Sequence, residues 1–435
     1  MSLSPSSEVL LHPRVAVETS PVARMVAAAR SARGRITLSL HDDLESVEAE
    51  WRRFEETADC TVFQSYDWHA LWRKHIGAPA GSQPVIVFGR EHERVLFILP
   101  LAIERGRIAR TLQWHAGDLS DYNAPLLAPD FANVVDGPRF VQIFDEVRRL
   151  IASDRRFAYD AVALDKMPDR VGGQANPFMA LPTTVHPSGA YAVALTGDWD
   201  SFYSDKRSSA TRRRDRTKRK RLADMGELRF VTPTDPADIA ANFELLVAQK
   251  TKQFRAMGVE DLFARPGFRD LFIDLATGPA TRALAHLSRL EVGAVAAATN
   301  YGLVFHGRYY HIFASYDAGP VARFGPGVAH LHELMRYAIG RQCNVFDFTI
   351  GDEGYKREWA DILIALHDHR SAATFTGLLA VAPASAIAYA KRTIKQNPTL
   401  WSVATKVRAC LAALRRKDVS CPPSGPAPAE EREDA

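Results

Sequence analysis

Between residues 307 and 361 the hydrophobic positions follow a strand pattern, then a helix pattern, then a second strand pattern. The apolar and aromatic run Arg308–Phe313 predicts a strand. From Val328 to Ile339 the apolar residues recur every three or four positions, which is typical of an amphipathic helix. A second buried strand is predicted over Val345–Ile350, and Gly351–Lys356 follows it. The ionisable residues of this last segment should therefore lie beside the loop that precedes the helix.

The rest of the pattern divides into two cycles of similar element order. The first is predicted to contain a strand over Arg35–Leu40, a hairpin over Pro84–Phe88 and Val95–Ile103, a helix over Arg139–Ile151 and a strand over Ala161–Leu164. The second begins at Tyr191 and is predicted to contain a basic helix, a strand over Glu227–Val231, helices over Pro236–Met257 and Phe268–Thr277, and a hairpin over Ala283–Leu290 and Ala294–Tyr301. The segment from Pro168 to Pro187 is rich in proline and glycine and lacks periodicity, which predicts the domain junction.

Length and composition agree with two soluble domains. A chain of 435 residues exceeds the size at which one core stops growing, about 250 residues. The predicted organisation is a disordered tail at 1–34, domains at 35–185 and 186–380, basic amphipathic helices at 381–418 and a disordered tail at 419–435. The sequence contains no apolar run of about 18 residues and no secretory h-region, so we expect a cytoplasmic protein without a transmembrane segment.

Basic residues are concentrated in two segments. The chain carries a formal net charge of +4. Lys206–Arg221 contains ten Lys or Arg and one Asp (+9), and Lys391–Lys417 contains eight basic residues and no acid (+8), which leaves −13 for the rest. The four cysteines, Cys60, Cys343, Cys410 and Cys421, lack the paired spacing of a zinc site or disulfide framework, so we expect no metal.

The loop before the predicted helix has the composition of an anion-binding site. It reads Arg323, Phe324, Gly325, Pro326, Gly327. A glycine loop at a helix N-terminus presents free N–H groups and the positive end of the helix dipole, which suit a phosphate or pyrophosphate. Glycine and proline are also ordinary turn residues at such a position, so the loop alone does not decide between the two readings.

The order of strand, Arg-x-Gly-x-Gly loop, helix and strand resembles the acyl-CoA site of the GNAT acetyltransferase superfamily. The segments Ser315–Asp317, Arg323–Gly327 and Phe346–Glu353 more closely resemble its CelD/FemAB-like branch, as do Phe63–Trp68 and Ser120–Leu126 in the first half. The resemblance covers roughly residues 36 to 376. It implies an α/β (α+β) fold of tandem GNAT-like domains, each a mixed, mostly antiparallel sheet flanked by helices, and acyl-CoA as co-substrate bound by Arg323, Phe324, Gly325, Pro326 and Gly327.

Transfer from a thioester needs a positioned nucleophile, a route for its proton and donors for the oxyanion. We predict Asp352 and Glu353 as candidates for the general base and Lys356 as a cation for phosphate or developing charge. Asp121, Tyr122 and Tyr310 are predicted to contact the acceptor. A solvated turn with an ion pair would also explain the acidic pair, and Asp121 would equally cap a turn.

The two basic segments each allow two interpretations. The run Arg212–Arg221 is either a solvated helix or a surface for tRNA or another anion, whose binding would depend on salt. The helices after Pro383 either dock on the protein or lie on an anionic membrane surface.

The sequence lacks the motifs of several other enzyme classes. It contains no Gly-x-Ser-x-Gly elbow, no P-loop, no His-Glu-x-x-His and no Gly-x-Gly-x-x-Gly. The resemblance implies an acyltransferase that acts on an amine or hydroxyl of a small molecule or glycan in polysaccharide or exopolysaccharide production. The alternatives are a FemAB-like ligase that uses aminoacyl-tRNA and a non-catalytic partner of a glycan synthase.

Overall fold

The computed structural model of the protein describes residues 18–20, 24–31 and 34–396. The strands in these residues are β1 Glu18–Ser20, β2 Arg24–Ser31, β3 Gly34–His41, β4 Gln83–Glu91, β5 Arg94–Arg105, β6 Arg110–Trp114, β7 Leu126–Leu127, β8 Ala161–Pro168, β9 Arg170–Val171, β10 Gln174–Ala175, β11 Thr184–Val185, β12 Ala190–Ala194, β13 Leu228–Val231, β14 Ala285–Val292, β15 Val295–Phe305, β16 Arg308–Tyr316, β17 Val345–Ile350, β18 Ile362–Ile364 and β19 Leu366–Ala372. The α-helices are α1 Glu48–Glu55, α2 Tyr66–Trp72, α3 Phe131–Val134, α4 Gly137–Ser153, α5 Trp199–Lys206, α6 Ser209–Ala223, α7 Pro236–Met257, α8 Phe268–Thr277, α9 Pro326–Gly340, α10 Gly354–Trp359 and α11 Phe375–Gln396.

Helix α7 shows how local sequence sets an element's ends. The Asp235 side chain accepts hydrogen bonds from the N–H groups of Ala237 and Asp238, and Pro236 occupies the first turn. Gly258 ends the helix in the left-handed conformation, at φ 64°. These signals are strong in the sequence, and the helix has the predicted bounds.

Two sheets organise the chain. Along the first, the strand order is β1-β2-β3-β4-β5-β6-β8-β19-β11, with β7 paired to β5. Along the second, the order is β13-β14-β15-β16-β17-β12-β18. Helix α4 packs on the first sheet, and α7, α8 and α9 pack on the second.

The first sheet contains a strand from the second half of the chain. β19, which the sequence places in the second domain (186–380), pairs with β8 and β11 of the first sheet, whereas β12 pairs with β17 and β18 of the second. β19 and β12 have the same place in their sheets, between the strand that follows the helix and a short edge strand. Residues 366–372 therefore have their hydrogen-bond partners in the first sheet, although the sequence pattern places them in the second domain.

Each of the two large sheets of the described chain contains one parallel strand pair, and the two pairs match. β6 and β8 flank α4, and β16 and β17 flank α9. Both pairs are in register over three residues only. All other neighbours in these sheets are antiparallel. The tandem repeat expected from the order of elements is thus present as a repeated topology.

A shared apolar core joins the halves. Trp68 of α2 meets Phe272 of α8 edge-on, with ring centroids 6.0 Å apart, and Phe63 meets Tyr310 of β16 at 5.8 Å. Behind these rings, the buried Asp347 accepts a hydrogen bond from the Tyr122 hydroxyl (2.7 Å) and forms an ion pair with Arg308 (2.7 Å). The halves are therefore fixed to each other by packing and by a buried polar link.

The ends of the chain were predicted to be tails and basic helices. β2 pairs with β3 along Met25–Ser31, so this part of the predicted tail at 1–34 is a strand instead. At the other end, α11 begins against the body, because a Cβ on Gly377 would lie 1.8 Å from the carbonyl oxygen of Asp160. The remainder of the predicted basic helices, 397–418, and the predicted tail at 419–435 lie outside the described residues. No helix in residues 34–396 is both long and apolar enough to cross a membrane.

Candidate active site

A cleft of about 1110 Å³ lies between the two halves. One end is formed by the loop Arg323–Gly327 and the start of α9. The middle is lined by β16, and the other end by α7, α8 and residues of the first half that include Trp68 and Asp121. The cleft thus runs from the predicted anion-binding loop to the junction of the halves.

The cleft exists because the parallel strands β16 and β17 separate. They are in register at Arg308 with Val345, Tyr309 with Phe346 and Tyr310 with Asp347. Beyond these pairs β16 continues to Tyr316 and β17 continues to Ile350, but the two strands no longer pair with each other. A bulge at Ile312 accompanies the separation, since Tyr301 faces Phe313 while Gly302 faces His311. The edge of β16 that faces β17 therefore leaves backbone N–H and C=O groups available to a ligand.

The loop leads directly into α9. Gly325 adopts the left-handed conformation (φ 68°, ψ 53°), which glycine adopts without steric cost. Pro326 follows at the first helical position, and the N–H groups of Val328 and Ala329 return to the Gly325 carbonyl. Arg323, Gly325, Pro326 and Gly327 all line the cleft, as the sequence predicts. The N-terminus of a 15-residue helix thus opens onto the cleft, with an arginine beside it.

The basic helix α6 lies against this loop. The Lys218 ammonium is 3.9 Å from the position that a Cβ on Gly325 would occupy. Arg219 pairs with Glu333 of α9 (2.8 Å), and Asp215 accepts a hydrogen bond from the Tyr203 hydroxyl (2.8 Å). Within residues 34–396, Arg213, Arg214 and the other outward cations of α6 form no ion pair with a carboxylate. Positive charge is therefore concentrated at the loop end of the cleft.

Asp121 reaches the cleft because buried side chains form hydrogen bonds to the residues on either side of it in its loop. Trp68 donates to the Ser120 hydroxyl (3.0 Å), and Gln64 donates to the Tyr122 carbonyl (2.8 Å), both in the buried interior. Asn123 donates to the carbonyl oxygens of Gly117 (3.1 Å) and Asp165 (2.9 Å). The side chains that carry the first-half resemblance thus fix the orientation of Asp121.

Strain and close packing mark the carboxyl end of β17. Thr349 is a β-branched residue at φ 60°, a conformation that costs about 1–3 kcal/mol. In that conformation its N–H donates to Asp347 Oδ1 (2.8 Å), and its hydroxyl, which lies 3.5 Å from the His311 carbonyl oxygen, acts to lower the pKa of Asp121. Gly351 follows at φ 135°, where a Cβ would lie 2.4 Å from Glu353 Oε2 and 2.9 Å from Lys356 Nζ. The backbone here is shaped around Asp121, Glu353 and Lys356.

Lys356 is a buried cation at the cleft wall. Its side chain is only 6% exposed, it donates to the Ile350 carbonyl (2.8 Å), and it pairs with Glu353 (3.0 Å). It lies on α10, a short helix that the sequence pattern did not predict. Both Glu353 and Lys356 line the cleft.

The titratable groups of the cleft differ in their electrostatics. Burial raises the pKa of Asp121, against the opposing effects of Lys166, the Thr349 hydroxyl and Lys356. Burial lowers the pKa of Lys250; the charge of Glu353 opposes this effect, and the charge of Lys356 adds to it. Burial also lowers the pKa of His311 to about 3, so this cleft-lining imidazole is neutral and weakly basic near pH 7. Among these groups, Asp121 is the carboxylate whose basicity is increased.

Several predicted residues lie elsewhere. Tyr122 and Tyr310, predicted to contact the acceptor, are 1% and 2% exposed and belong to the shared core. Asp352, predicted as a base, is not among the residues that line the cleft. Phe324 faces the grooves beside α6, where Arg323 stacks on its ring at 4.7 Å. The remaining predicted site residues converge on one cleft.

Sequence reasoning missed three cleft or near-cleft groups. Lys250 of α7 lines the cleft, as does Thr349, and Lys166 acts on Asp121 through its charge. The Lys166 ammonium donates hydrogen bonds to the carbonyl oxygens of Asp118 and Ser120. The sequence offers one local indication of a role for Lys250: it is a charged residue in a helix whose neighbouring turns are apolar. No group of three or more His, Cys, Asp or Glu that could hold a metal occurs in residues 34–396.

Comparisons with known proteins agree with this geometry. Residues 209–357 match the family model described as "Acetyltransferase (GNAT) domain", which spans α6, the loop, α9 and α10. No curated protein matches the sequence. The structure of FemX is similar in fold (TM-score 0.53, 10% identity, 74% of this chain and 95% of that chain).

Two further solved structures are similar at lower scores. One is a conserved protein of unknown function from Bacteroides thetaiotaomicron VPI-5482 (TM-score 0.49, 13% identity, 76% of this chain and 98% of that chain). The other is a tandem GNAT protein from the clavulanic acid biosynthesis pathway (TM-score 0.40, 11% identity, 77% of this chain and 98% of that chain). The strand order gives the chain a tandem α/β architecture, and residues 209–357 of its second half are similar to the GNAT acetyltransferase domain.

Proposed function

We propose that this protein is an acyl-CoA-dependent N- or O-acyltransferase that transfers directly to an amine or hydroxyl. The observation that carries the proposal is the cleft itself. It leads without interruption from the loop Arg323–Gly327, along the open edge of β16, to Asp121 and Lys356. An extended donor with phosphates at one end and a thioester at the other fits this sequence of environments.

The donor's contacts follow from the chemistry of each part. The pyrophosphate would lie at the start of α9 with Arg323 and Lys218, where N–H groups, the helix dipole and two cations favour negative charge. The amide-containing arm would add to the free edge of β16 in the manner of an extra strand. This places the thioester near the separation point of β16 and β17.

The chemistry at that point needs no covalent enzyme intermediate. The acceptor's nitrogen or oxygen attacks the thioester carbonyl carbon while Asp121 accepts its proton. Collapse of the tetrahedral intermediate breaks the C–S bond, and the departing thiolate takes the proton that Asp121 accepted, which returns the carboxylate to its starting state. Unpaired N–H groups of β16 are suited to stabilise the oxyanion.

The acceptor is proposed to be a small molecule or glycan. Polar and charged side chains, among them Asp118, Gln253 and Arg265, line the cleft at the junction of the halves. The CelD-type resemblance of the sequence supports amino sugars and polysaccharide precursors as the first acceptors to try. A chain that kept the fold without catalysis would have no need of the strained Thr349 or of a desolvated Asp121.

We expect Arg323→Ala to weaken acetyl-CoA binding about 10- to 100-fold, the range for loss of a hydrogen bond to a charged group. Gly327→Trp should abolish binding, since an indole there would fill the mouth of the cleft. Gly327 has room for a side chain in the free protein, because its Cβ would meet only Tyr316 Cδ1, at 3.6 Å. Isothermal titration calorimetry with acetyl-CoA and longer acyl-CoAs measures both effects.

Matched controls separate binding from folding. Arg149→Ala removes an exposed arginine from α4 of the first half, and Gly173→Trp places an indole where a Cβ meets nothing within 4 Å. Both controls should bind as the unsubstituted protein does. If the folded protein binds no acyl-CoA, the proposed donor is wrong.

A second candidate is an aminoacyl-tRNA-dependent transferase. It is favoured by the number of α6 cations without a carboxylate partner, which exceeds what the phosphates of one CoA need. On this alternative, Arg213→Glu with Arg214→Glu should abolish retention of tRNA on the protein, and binding should weaken steeply with salt. Reversing Arg148 and Arg149 on α4 is the control. An absence of tRNA binding at low salt would remove this candidate.

A further inference from the structure

One end of the cleft is an apolar arm that extends beyond the proposed thioester position. Its walls come from α7, α8, the segment between them, β16 and α2 of the first half. The residues of the apolar arm are Trp68, Phe254, Leu262, Phe268, Phe272 and Phe313. They form part of the same cavity as the loop Arg323–Gly327.

Aromatic packing holds the arm open in a fixed shape. Phe313 contacts Phe272 at 5.0 Å and Phe268 at 6.0 Å between ring centroids, and Trp68 braces Phe272 from the other half. By contrast, Phe254 and Leu262 are only partly buried, although each packs against the shared core. The arm is therefore preformed, and it leaves apolar surface in contact with water until a ligand covers it.

The arm continues the path of the donor. Ile312 and Phe313 line the cleft where β16 separates from β17, and Phe313 also forms a wall of the arm. An acyl chain attached at the thioester would extend from that point past Phe313. An acetyl group ends there and would leave the arm empty.

The polar acceptor has a different place. Exposed charged side chains stand at the rim of this end of the cleft, among them Asp118 and Arg265. A hydrogen-bonding acceptor would lose these contacts in the arm and would leave its own polar groups unpaired there. The separation of polar rim and apolar arm assigns the acceptor to the rim.

We propose that the apolar arm binds the hydrocarbon chain of a medium- or long-chain acyl-CoA, so that the preferred donor carries a fatty acyl group. This inference rests on the proposed function and specifies its donor. Each methylene that enters the arm leaves water for an apolar wall, which strengthens binding about fourfold. Affinity should rise with chain length until the arm is filled and then level off.

The test is calorimetric titration of the full-length protein with acetyl-, hexanoyl-, decanoyl- and tetradecanoyl-CoA. We expect the dissociation constant to fall by at least about 100-fold from acetyl to decanoyl, even if only part of the fourfold gain per methylene is realised. Leu262→Trp should cut this ratio within the variant, because the indole occupies the arm. Leu245→Trp, at an exposed leucine of α7 outside the cleft, should keep the ratio.

The outcomes distinguish this inference from the proposal on which it rests. Equal affinity for all four acyl-CoAs would overturn the chain-binding arm and leave an acetyltransferase. A ratio unchanged by Leu262→Trp would place the chain elsewhere and also overturn it. Absence of binding by every acyl-CoA would overturn the proposed donor itself.

Discussion

Asp121→Asn is expected to lower kcat by about 10²- to 10⁴-fold, the usual contribution of a general base, with little change in acyl-CoA affinity. The carboxylate lies in the cleft beside Thr349, and its pKa is raised by burial, which makes it a stronger base than an exposed aspartate. Asparagine keeps the size of the side chain and its acceptor oxygen but takes up no proton. Steady-state transfer with the best acceptor found, beside calorimetric binding of the acyl-CoA, measures the two effects.

The pH dependence of kcat/KM tests the role of Asp121 independently. A base must be deprotonated to act, so kcat/KM should fall as pH decreases through the pKa of Asp121. Because burial raises that pKa, the acidic limb should lie above the ordinary aspartate value of about 3.9. The limb should disappear in Asp121→Asn.

Two other carboxylates of the cleft serve as controls. Asp118→Asn changes a neighbour on the same loop, and Glu353→Gln changes the partner of Lys356. Both are expected to reduce kcat less than Asp121→Asn does. A larger loss in Glu353→Gln would transfer the role of base to Glu353, one of the two candidates that the sequence predicts.

Asp347→Asn should destabilise the protein by about 3 kcal/mol, near the lower end of the cost of breaking a buried ion pair. The carboxylate is fully buried and accepts from Tyr122, Arg308 and the Thr349 N–H. Asparagine leaves Arg308 without its counter-charge, although the 30% exposure of that side chain lets water compensate in part. The free energy of urea unfolding measures the loss, with fluorescence and circular dichroism followed together.

Tyr122→Phe is the matched comparison for this link. It removes one neutral donor and leaves the Arg308 pair intact, so a loss of about 1 kcal/mol is expected. A loss below about 1 kcal/mol in Asp347→Asn would mean that the pair contributes little to holding the halves together. The decisive observation is which of the two variants loses more free energy of unfolding, rather than the size of either loss.

The elements that could be predicted from sequence are those with their own local signals. α7, α8 and β17 have the predicted bounds because caps, periodicity and flanking turns agree. The loop Arg323–Gly327 was predicted to bind the donor, and four of its five residues line the cleft. Local sequence thus sufficed to identify the loop that forms one end of the cleft.

The other end depends on contacts that sequence spacing does not reveal. Asp121 and Tyr122 are neighbours, yet one lines the cleft and the other is buried in the core. Their orientations are set by Gln64 and Lys166, which lie more than 40 positions away along the chain. The place of β19 in the first sheet likewise depends on pairing across about 180 to 210 residues, which no local pattern encodes.

The position of β19 in the first sheet also determines when the first half can finish folding. During synthesis, β8 emerges long before β19, so its edge stays uncovered until nearly the whole second half has left the ribosome. An uncovered strand edge readily pairs with other chains. Pairings between such distant segments form slowly, because a long loop must close before any contact is gained. The first sheet is therefore complete only after the second half has been synthesised, and this dependence makes the two halves a single folding unit.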